Sequence, residues 1–289
     1  MPGSPRFHAP TPLEYFASLV ADDETLPLLE AAASIGQDED PGLDTQAVLD
    51  RIDALALRLK QRIPPDAGPR QRLRQLNQFF FQELGFSGNV NDYYDPGNSL
   101  LATVLETRRG IPITLALLYI EFATQIGMTA RGVSFPGHFL VKLKLSEGEV
   151  LIDPFTGQSL SRERLDELLQ PYRRSQGLAG EVDVPLGLFL QAAPGREVLA
   201  RMLRNLKEIH RSARDWPRLL AVLNRLVVLL PEAWEERRDR GLAYAELGQA
   251  DAALHDLGDY LSHSPQAPDR DDVGERLMAL RERGIGPLH

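Results

Sequence analysis

The stretch that decides the fold begins at Arg108 and reads RRGIPITLALLYIEFATQIGMTARGVSFPGHFLVKLKL. Pro112 is favoured at the first position of a helix, and Gly127 is typical of a helix end, so we expect an apolar helix between them. Short apolar runs after Gly127, one of them strictly alternating, predict strands. A helix followed by antiparallel strands predicts an α+β domain. The predicted strands cover residues 131–135, 138–145 and 150–153.

The chain after this stretch carries an internal repeat. Pro231 and Pro265 are 34 residues apart, which is the period of a tetratricopeptide helix pair. Gly241 and Ala253 stand at the small positions where the two helices of such a pair cross closely. The first pair is degenerate, because Lys207 stands where the repeat requires a small residue. We therefore expect an all-α, tetratricopeptide-like domain at the C-terminal end.

Length and patterning divide the chain into three parts. At roughly 100–200 residues per domain, about two domains are expected for a chain of 289 residues. We expect an N-terminal helical region over 1–88 that packs on an α+β core over 89–180. The helical repeats are expected over 195–289.

Composition narrows the classes of function. The chain has 32 basic and 41 acidic residues, a net charge of −9, and it contains no cysteine. The negative charge argues against binding to nucleic acid or to an anionic membrane. The missing cysteine removes thiol nucleophiles and thiolate metal sites. The six histidines are scattered, so we expect no metal and no cofactor. No leader or long apolar span is evident, and we expect a cytoplasmic protein.

Charge is distributed unevenly along the chain. Residues 1–60 carry 4 basic and 11 acidic side chains, whereas residues 196–225 carry 8 basic and 3 acidic ones. The basic segment is typical of a solvated helix face, and docking against the acidic N-terminal helices is one form of that interpretation. An anion-binding surface on the repeats is the alternative.

Three positions could carry chemistry together. A papain-like hydrolase needs, in chain order, a cysteine at a helix start, a histidine base that opens the next strand, and an Asp or Asn that orients the histidine. Here a helix starts at Pro112, His138 begins a strand and Asp153 ends the next strand. Direct opposition of His138 and Asp153 requires a turn centred between residues 145 and 146. The turn signal is centred near Glu147 instead, so a bulge or slanted pairing is required.

Four blocks of the sequence are YDPGNSL (94–100), RRGIPITL (108–115), GVSFPGHFLV (132–141) and IDPF (152–155). Together they resemble the transglutaminase-like core family over about residues 89–165. The whole chain resembles the bacterial SirB-type branch of that family, which joins such a core to tetratricopeptide repeats. The resemblance implies that His138 holds the place of the base and Asp153 that of the orienting acid. It also implies that Pro112 holds the place of the nucleophile, because the Gly-x-Cys signature of active members falls on Gly110-Ile111-Pro112.

Proline has no nucleophile, so the resemblance implies that the thiol chemistry is lost. His138 and Asp153 are then a relic dyad, and His138 equally fits an imidazole that bonds Asp153 and joins two strands. Thr114 is the nearest hydroxyl and an alternative nucleophile, provided that His138 lies within hydrogen-bond reach of it. The simpler interpretation is that Thr114 caps or packs the start of the helix.

The expected vestigial cleft consists of Pro112, Arg109, Gly110 and Asn98. Arg109, with its neighbour Arg108, could hold a carboxylate or offset the dipole at a helix C-terminus. Asn98 could line the pocket or cap the following helix. Two aromatic runs, Tyr93-Tyr94 and Phe79-Phe80-Phe81, are expected in the core.

The function expected from these observations is that of a non-catalytic pseudo-transglutaminase that binds a peptide or protein partner through the cleft and the repeats. The alternative is a cysteine-independent hydrolase or acyl-transferase that uses Thr114 or water with His138 and Asp153. A third idea, a regulatory adaptor, is suggested only by the family's context.

Overall fold

The computed structural model describes residues 9–176 and 185–284, which form helices and two groups of strands. The predicted domain ends at residues 1–8, 177–180 and 285–289 lie outside the described residues. The helices are α1 (Pro12–Leu19), α2 (Leu28–Ser34), α3 (Thr45–Lys60), α4 (Pro69–Asn77), α5 (Leu101–Thr107), α6 (Pro112–Gln125), α7 (Arg162–Ser175), α8 (Gly195–Ala213), α9 (Trp216–Leu229), α10 (Trp234–Glu246), α11 (Ala250–His263) and α12 (Arg270–Gly284). The strands are β1 (Ser87–Gly88), β2 (Arg109–Gly110), β3 (Thr129–Phe135), β4 (His138–Leu145), β5 (Gly148–Asp153) and β6 (Gln158–Leu160).

The described residues divide into two compact units. The core unit comprises residues 27–36, 42–176 and 185–202, and the repeat unit comprises residues 9–26, 37–41 and 203–284.

The core unit contains an antiparallel sheet in the order β3-β4-β5-β6, together with a parallel pair formed by β1 and β2. The α+β prediction is confirmed, and the three predicted strands are present. The strand β6 is an addition to the predicted set, because three residues with little burial give no alternating signal.

Helix α6 is the apolar centre of the core unit. It begins at Pro112 as predicted, and nine of its fourteen residues are buried. Gly127 adopts a φ of +77° just beyond its end, as a helix-terminating glycine does. The helix covers the sheet face that carries Gly132 and Phe139, where a Cβ on Gly132 would lie 2.7 Å from the Phe139 ring and 3.7 Å from Ile120 of α6.

The opposite face of the sheet is covered by α7 and a 3₁₀ turn over Leu186–Leu190. Strand alternation sends a second set of apolar side chains to this face. Its buried cluster is Val133, Phe135, Leu140, Leu151, Leu165, Leu169 and Leu186.

The two aromatic runs differ in burial. Phe79 and Phe80 are buried as predicted, in a π turn where the Leu84 amide donates to the Phe79 carbonyl. The prediction for the tyrosines is wrong, because Tyr93 is 47% exposed and Tyr94 is 75% exposed. Their loop is held from inside through backbone carbonyls, which leaves the rings outside.

The repeat unit has the helix pairs that the sequence predicts. The helices α9 and α11 end just before Pro231 and Pro265, respectively. Gly241 of α10 allows close crossing, because a Cβ there would lie 2.8 Å from the side chain of Leu257 in α11. Lys207 is accommodated in the degenerate pair by ion pairing with Glu236 at 2.6 Å.

Part of the N-terminal segment belongs to the repeat unit. Helix α1 packs on α9, and the guanidinium of Arg225 binds both carboxylate oxygens of Asp38 at 2.7 and 2.8 Å while lying 4.9 Å from the centre of the Phe16 ring. Glu39 pairs with Arg218 through one carboxylate oxygen at 2.8 Å. Acidic N-terminal residues therefore dock on the basic segment 196–225, whereas residues 27–36 and 42–88 group with the core. The boundaries 1–88, 89–180 and 195–289 stay a prediction.

Across residues 9–176 and 185–284, no helix is both long enough and apolar enough to cross a membrane.

Candidate binding site

The start of α6 is built by backbone pairing between short strands. Gly110 pairs with Gly88, and the Ile111 amide donates to the Asn98 carbonyl. Position 110 needs glycine, because a Cβ there would lie 2.9 Å from the Thr114 hydroxyl. Pro112 then occupies the first helical position, where a missing N–H costs no hydrogen bond. The place expected for a nucleophile therefore presents a half-buried pyrrolidine ring.

The Thr114 hydroxyl is committed to the backbone. It donates to the carbonyls of Asn98 at 2.7 Å and Ile111 at 3.0 Å, and the residue is fully buried. A hydroxyl has one proton, and here carbonyls accept it instead of His138. These contacts support the interpretation of Thr114 as a residue that fastens the helix start, and its role as an alternative nucleophile stays a prediction.

Asn98 is the buried anchor of the exposed loop 89–95. Its side-chain amide donates to the carbonyls of Asp92 at 2.7 Å and Tyr93 at 3.2 Å, and its side-chain oxygen accepts from Asn89 at 3.0 Å. The idea that Asn98 caps the following helix is wrong, because Leu100 is the N-cap of α5 and makes no side-chain cap.

Arg109 is exposed and directed at the backbone. Its guanidinium donates to the carbonyls of Gly85 at 2.8 Å and Arg108 at 3.0 Å. Arg108 ends α5 in the left-handed conformation with a φ of +60°. Of the two interpretations of Arg109, the contacts favour the one in which a cation satisfies carbonyls at a helix end.

His138 and Asp153 lie at the same end of the sheet, but no hydrogen bond joins them in the described part of the chain. The register pairs Val141 with Ile152, because the turn falls at residues 146–147, and this sets Asp153 across from Leu140. The Asp153 carboxylate accepts from the Phe155 amide and the Thr156 hydroxyl, both at 2.9 Å. His138 instead pairs with Phe135, and their rings are 6.4 Å apart.

The helix start and the end of β5 are neighbours. The Gly88 amide donates to the Phe155 carbonyl at 2.9 Å, while Gly88 pairs with Gly110 on its other side. The segment after Asp153 is thereby tied to the segment before Pro112. The structure thus groups Gly110, Asn98 and Thr114 by direct bonds and leaves His138 and Asp153 as separate, partly exposed groups at the sheet's end. Their roles stay a prediction.

Arg201 of α8 is a candidate binding residue that sequence reasoning missed. It donates to the Ser134 hydroxyl at 3.0 Å, and its guanidinium lies 5.6 Å from the centre of the Phe139 ring. Burial lowers the pKa of Arg201, whereas the nearby Tyr93 and Glu197 act in the opposite direction. The segment 196–225 was interpreted from its charge alone. A signal for the position of Arg201 was available in its apolar neighbours Val198 and Met202, which are buried and place Arg201 beside the apolar stripe of the helix.

The repeat unit contains a groove with a cavity volume of about 400 Å³. Apolar side chains lie among charged groups of both signs. The groove is lined by residues of α8, α9, α10 and α12, namely Lys207, Arg211, Trp216, Leu219, Asp239, Leu242, Ala243, Glu246 and Arg276.

Metal coordination has no candidate in the described residues, where no group of three His, Cys, Asp or Glu side chains could hold an ion.

Comparison with known proteins places these features in one family. The transglutaminase-like superfamily profile matches residues 46–204, and a tetratricopeptide repeat profile matches residues 206–278. A UPF0162 protein of Xylella fastidiosa is 39% identical over 91% of this chain and 93% of its own length. A UPF0162 protein of Pseudomonas aeruginosa is 30% identical over 91% of this chain and 94% of its own.

Protein SirB1 of Salmonella typhimurium is 27% identical over 83% of this chain and 88% of its own length. Among solved structures, menin matches over 96% of this chain and 78% of its own at a TM-score of 0.41 and 10% identity, which is too weak to support an argument. The predicted family is therefore confirmed: this chain belongs to the transglutaminase-like UPF0162/SirB1 family, with its core followed by tetratricopeptide repeats.

Proposed function

We propose that this protein is a non-catalytic binding protein, which holds a peptide segment of a partner without cleaving or modifying it. The observation that carries the proposal is the occupant of the nucleophile position. Pro112 stands there at the first turn of α6, and the chain contains no cysteine that could reach the site from elsewhere. Because proline supplies neither a nucleophile nor an N–H, its presence at the position that the resemblance assigns to the nucleophile supports a binding role.

The other polar groups at the helix start support the same proposal. The side chains of Thr114 and Asn98 donate hydrogen bonds to backbone carbonyls of the loop and of the helix start. Asp153 accepts from its own turn instead of orienting His138. A hydrolase with a Thr114 nucleophile has no supporting contact here. Catalysis by a water that His138 activates would change the mass of a bound peptide, which mass spectrometry can detect.

The groove of the repeat unit supplies a surface for a partner segment. Leu219, Leu242 and Ala243 offer an apolar floor, while charged groups such as Glu246 and Arg276 offer specific contacts. Its volume of about 400 Å³ is within the range of roughly 300–1,000 Å³ that is common for binding clefts. Helix-pair repeats bind extended or helical segments on surfaces of this kind.

A peptide selection tests the binding claim. The full-length protein is immobilised and used to select from a library of displayed random peptides, and the affinity of a selected peptide is measured by fluorescence anisotropy. Glu246 and Arg276 form an ion pair at 2.6 Å. The exchange E246R/R276E preserves this pair but swaps the positions of its negative and positive charges in the groove. We expect this exchange to weaken binding about tenfold or more.

A matched exchange serves as the control. Arg237 and Asp259 pair at 2.9 Å between α10 and α11, and neither lines the groove. The variant R237D/D259R should therefore bind like the wild type. Failure to select any peptide, or equal loss in both exchanges, would contradict binding in the groove.

A further inference from the structure

Arg201 of the core unit lacks a carboxylate partner among the described residues, in contrast to Arg225 and Arg240 of the repeat unit. Arg225 and Arg240 each bind both oxygens of one carboxylate. Arg201 is partly buried, yet in residues 9–176 and 185–284 no Asp or Glu oxygen forms an ion pair with it. It donates a hydrogen bond to a neutral hydroxyl, that of Ser134. A guanidinium in a partly desolvated position is a strong receptor for a carboxylate, which it binds through two parallel N–H bonds.

Ser134 is arranged to help such a receptor. Its oxygen accepts from Arg201, which leaves the hydroxyl proton available as a donor. Within the described part of the chain, no acceptor takes that proton. Two donors, the guanidinium and the hydroxyl, therefore lie side by side at the end of the sheet, with the Phe139 ring beneath the guanidinium.

An aromatic surface adjoins these donors. The Tyr93 phenol lies near Arg201 and raises the pKa of its guanidinium, against the effect of burial. The Tyr93 ring is 6.1 Å from the Phe155 ring and 5.4 Å from the Tyr94 ring. These side chains are presented on the loop that Asn98 fixes, and Val90 on the same loop is 77% exposed. Large apolar side chains that are exposed together on a fixed loop mark a binding surface.

We propose that Arg201, Ser134 and Tyr93 form a receptor for the C-terminal end of a peptide, with the α-carboxylate on Arg201 and Ser134 and an aromatic last side chain against Tyr93 and Phe155. The positive charge of the guanidinium favours a carboxylate, and the aromatic rings favour an aromatic side chain on the residue that carries this carboxylate. This inference rests on the proposed function, because it names the class of partner for the core unit.

The test compares two small probes that differ in one group. N-acetyl-Gly-Gly-Phe with a free carboxylate and the same tripeptide with a C-terminal amide are titrated into the full-length protein. Binding is followed by NMR through the backbone amide signal of Ser134, which is present in every variant. We expect the carboxylate to bind at least tenfold more tightly than the amide. R201Q should abolish this difference, and R201K should restore part of it, because lysine keeps the charge without the fork geometry.

Two controls keep the test decisive. R131Q removes an exposed arginine of β3 whose guanidinium, among the described residues, donates to the neighbouring Ala130 carbonyl, so it should bind the probe like the wild type. Thermal unfolding of R201Q and R201K verifies that both variants are folded. Equal binding of the two probes, binding retained in folded R201Q, or no binding of either probe would overturn the inference.

Inorganic phosphate is the third probe. If phosphate competes as well as the tripeptide does, the site is a general anion site and the aromatic part of the inference is overturned. Because the groove exchange E246R/R276E has its own readout, a failure at Arg201 with selected peptides still bound to the groove overturns this inference alone. A protein that retains no peptide in either test overturns both.

Discussion

At the scale of single residues, the pair of Arg225 and Asp38 shows how charge joins distant parts of the sequence. Arg225 is completely buried, and the carboxylate of Asp38 accepts two hydrogen bonds from it. Removal of one partner from a buried pair is costly because the other charge stays in a medium of low dielectric constant. The uneven charge along the sequence predicted contact of this kind, although not which residues would meet.

The variant D38A tests the importance of this pair. Because Asp38 keeps some contact with water, we expect a loss near the lower end of the usual range, about 3 kcal/mol in the free energy of unfolding. The double variant D38A/R225M should recover most of the loss, since it removes the buried charge as well. Urea unfolding measures both. A single variant as stable as the wild type, or a double variant no better than D38A, would show that the pair does not hold the N-terminal segment.

At the scale of elements, the close crossing of α10 and α11 depends on the absence of a side chain at one position. A Cβ on Gly241 would lie 2.8–2.9 Å from Leu257 and 3.1 Å from the Cβ of Asp256, which cannot move away without the backbone. Gly258 of α11 is also inside a helix, but a Cβ there would meet nothing within 4 Å. The two glycines therefore form a natural pair of test and control.

We expect G241A and G258A to have opposite effects on stability. Alanine favours a helix over glycine by roughly 0.5–1 kcal/mol, so G258A should stabilise the protein by about that amount. In G241A the same gain is outweighed by overpacking, which costs about 1–3 kcal/mol. Thermal denaturation monitored by circular dichroism compares them. A G241A variant as stable as G258A would refute the close-packing argument.

The elements also show what the sequence could predict. Helix α6, the strands β3 to β5 and the second repeat pair have strong periodic or consensus signals, so their positions were predictable. Strand β6 is too short for a pattern, and the π turn after α4 depends on tertiary packing of Phe79 and Phe80. The hairpin register was open by one residue, because Ser146, Glu147 and Gly148 all favour a turn; only the structure shows that the turn is Ser146-Glu147.

The candidate site was predictable where it follows the backbone and unpredictable where it depends on how elements meet. The motif residues Gly110, Pro112 and Asn98 do lie together at the helix start. Tyr93 was expected in the core because it is aromatic, yet Asn98 binds its carbonyl and leaves its ring outside. Arg201 meets Ser134 and Phe139 from 62 or more residues away in the chain, and no local pattern encodes that contact.

At the scale of the whole molecule, the protein joins a transglutaminase-like core, in which Pro112 begins helix α6, to helical repeats that contain a groove. In both units the surfaces that we propose for a partner combine apolar side chains with charged ones, as binding sites for peptide segments do. Each unit has its own binding test, and both tests use the full-length chain. Both tests assume that the protein releases a bound peptide without changing it chemically.

That claim is tested most directly by the fate of a bound peptide. A selected peptide that contains glutamine is incubated with the wild-type protein and with H138A in the presence of a small primary amine. The masses of the peptide and of the protein are then measured by mass spectrometry. The account predicts that the peptide is recovered with its original mass from both proteins and that neither protein carries an adduct. Cleavage, deamidation or amine incorporation by the wild type that is lost in H138A would contradict it.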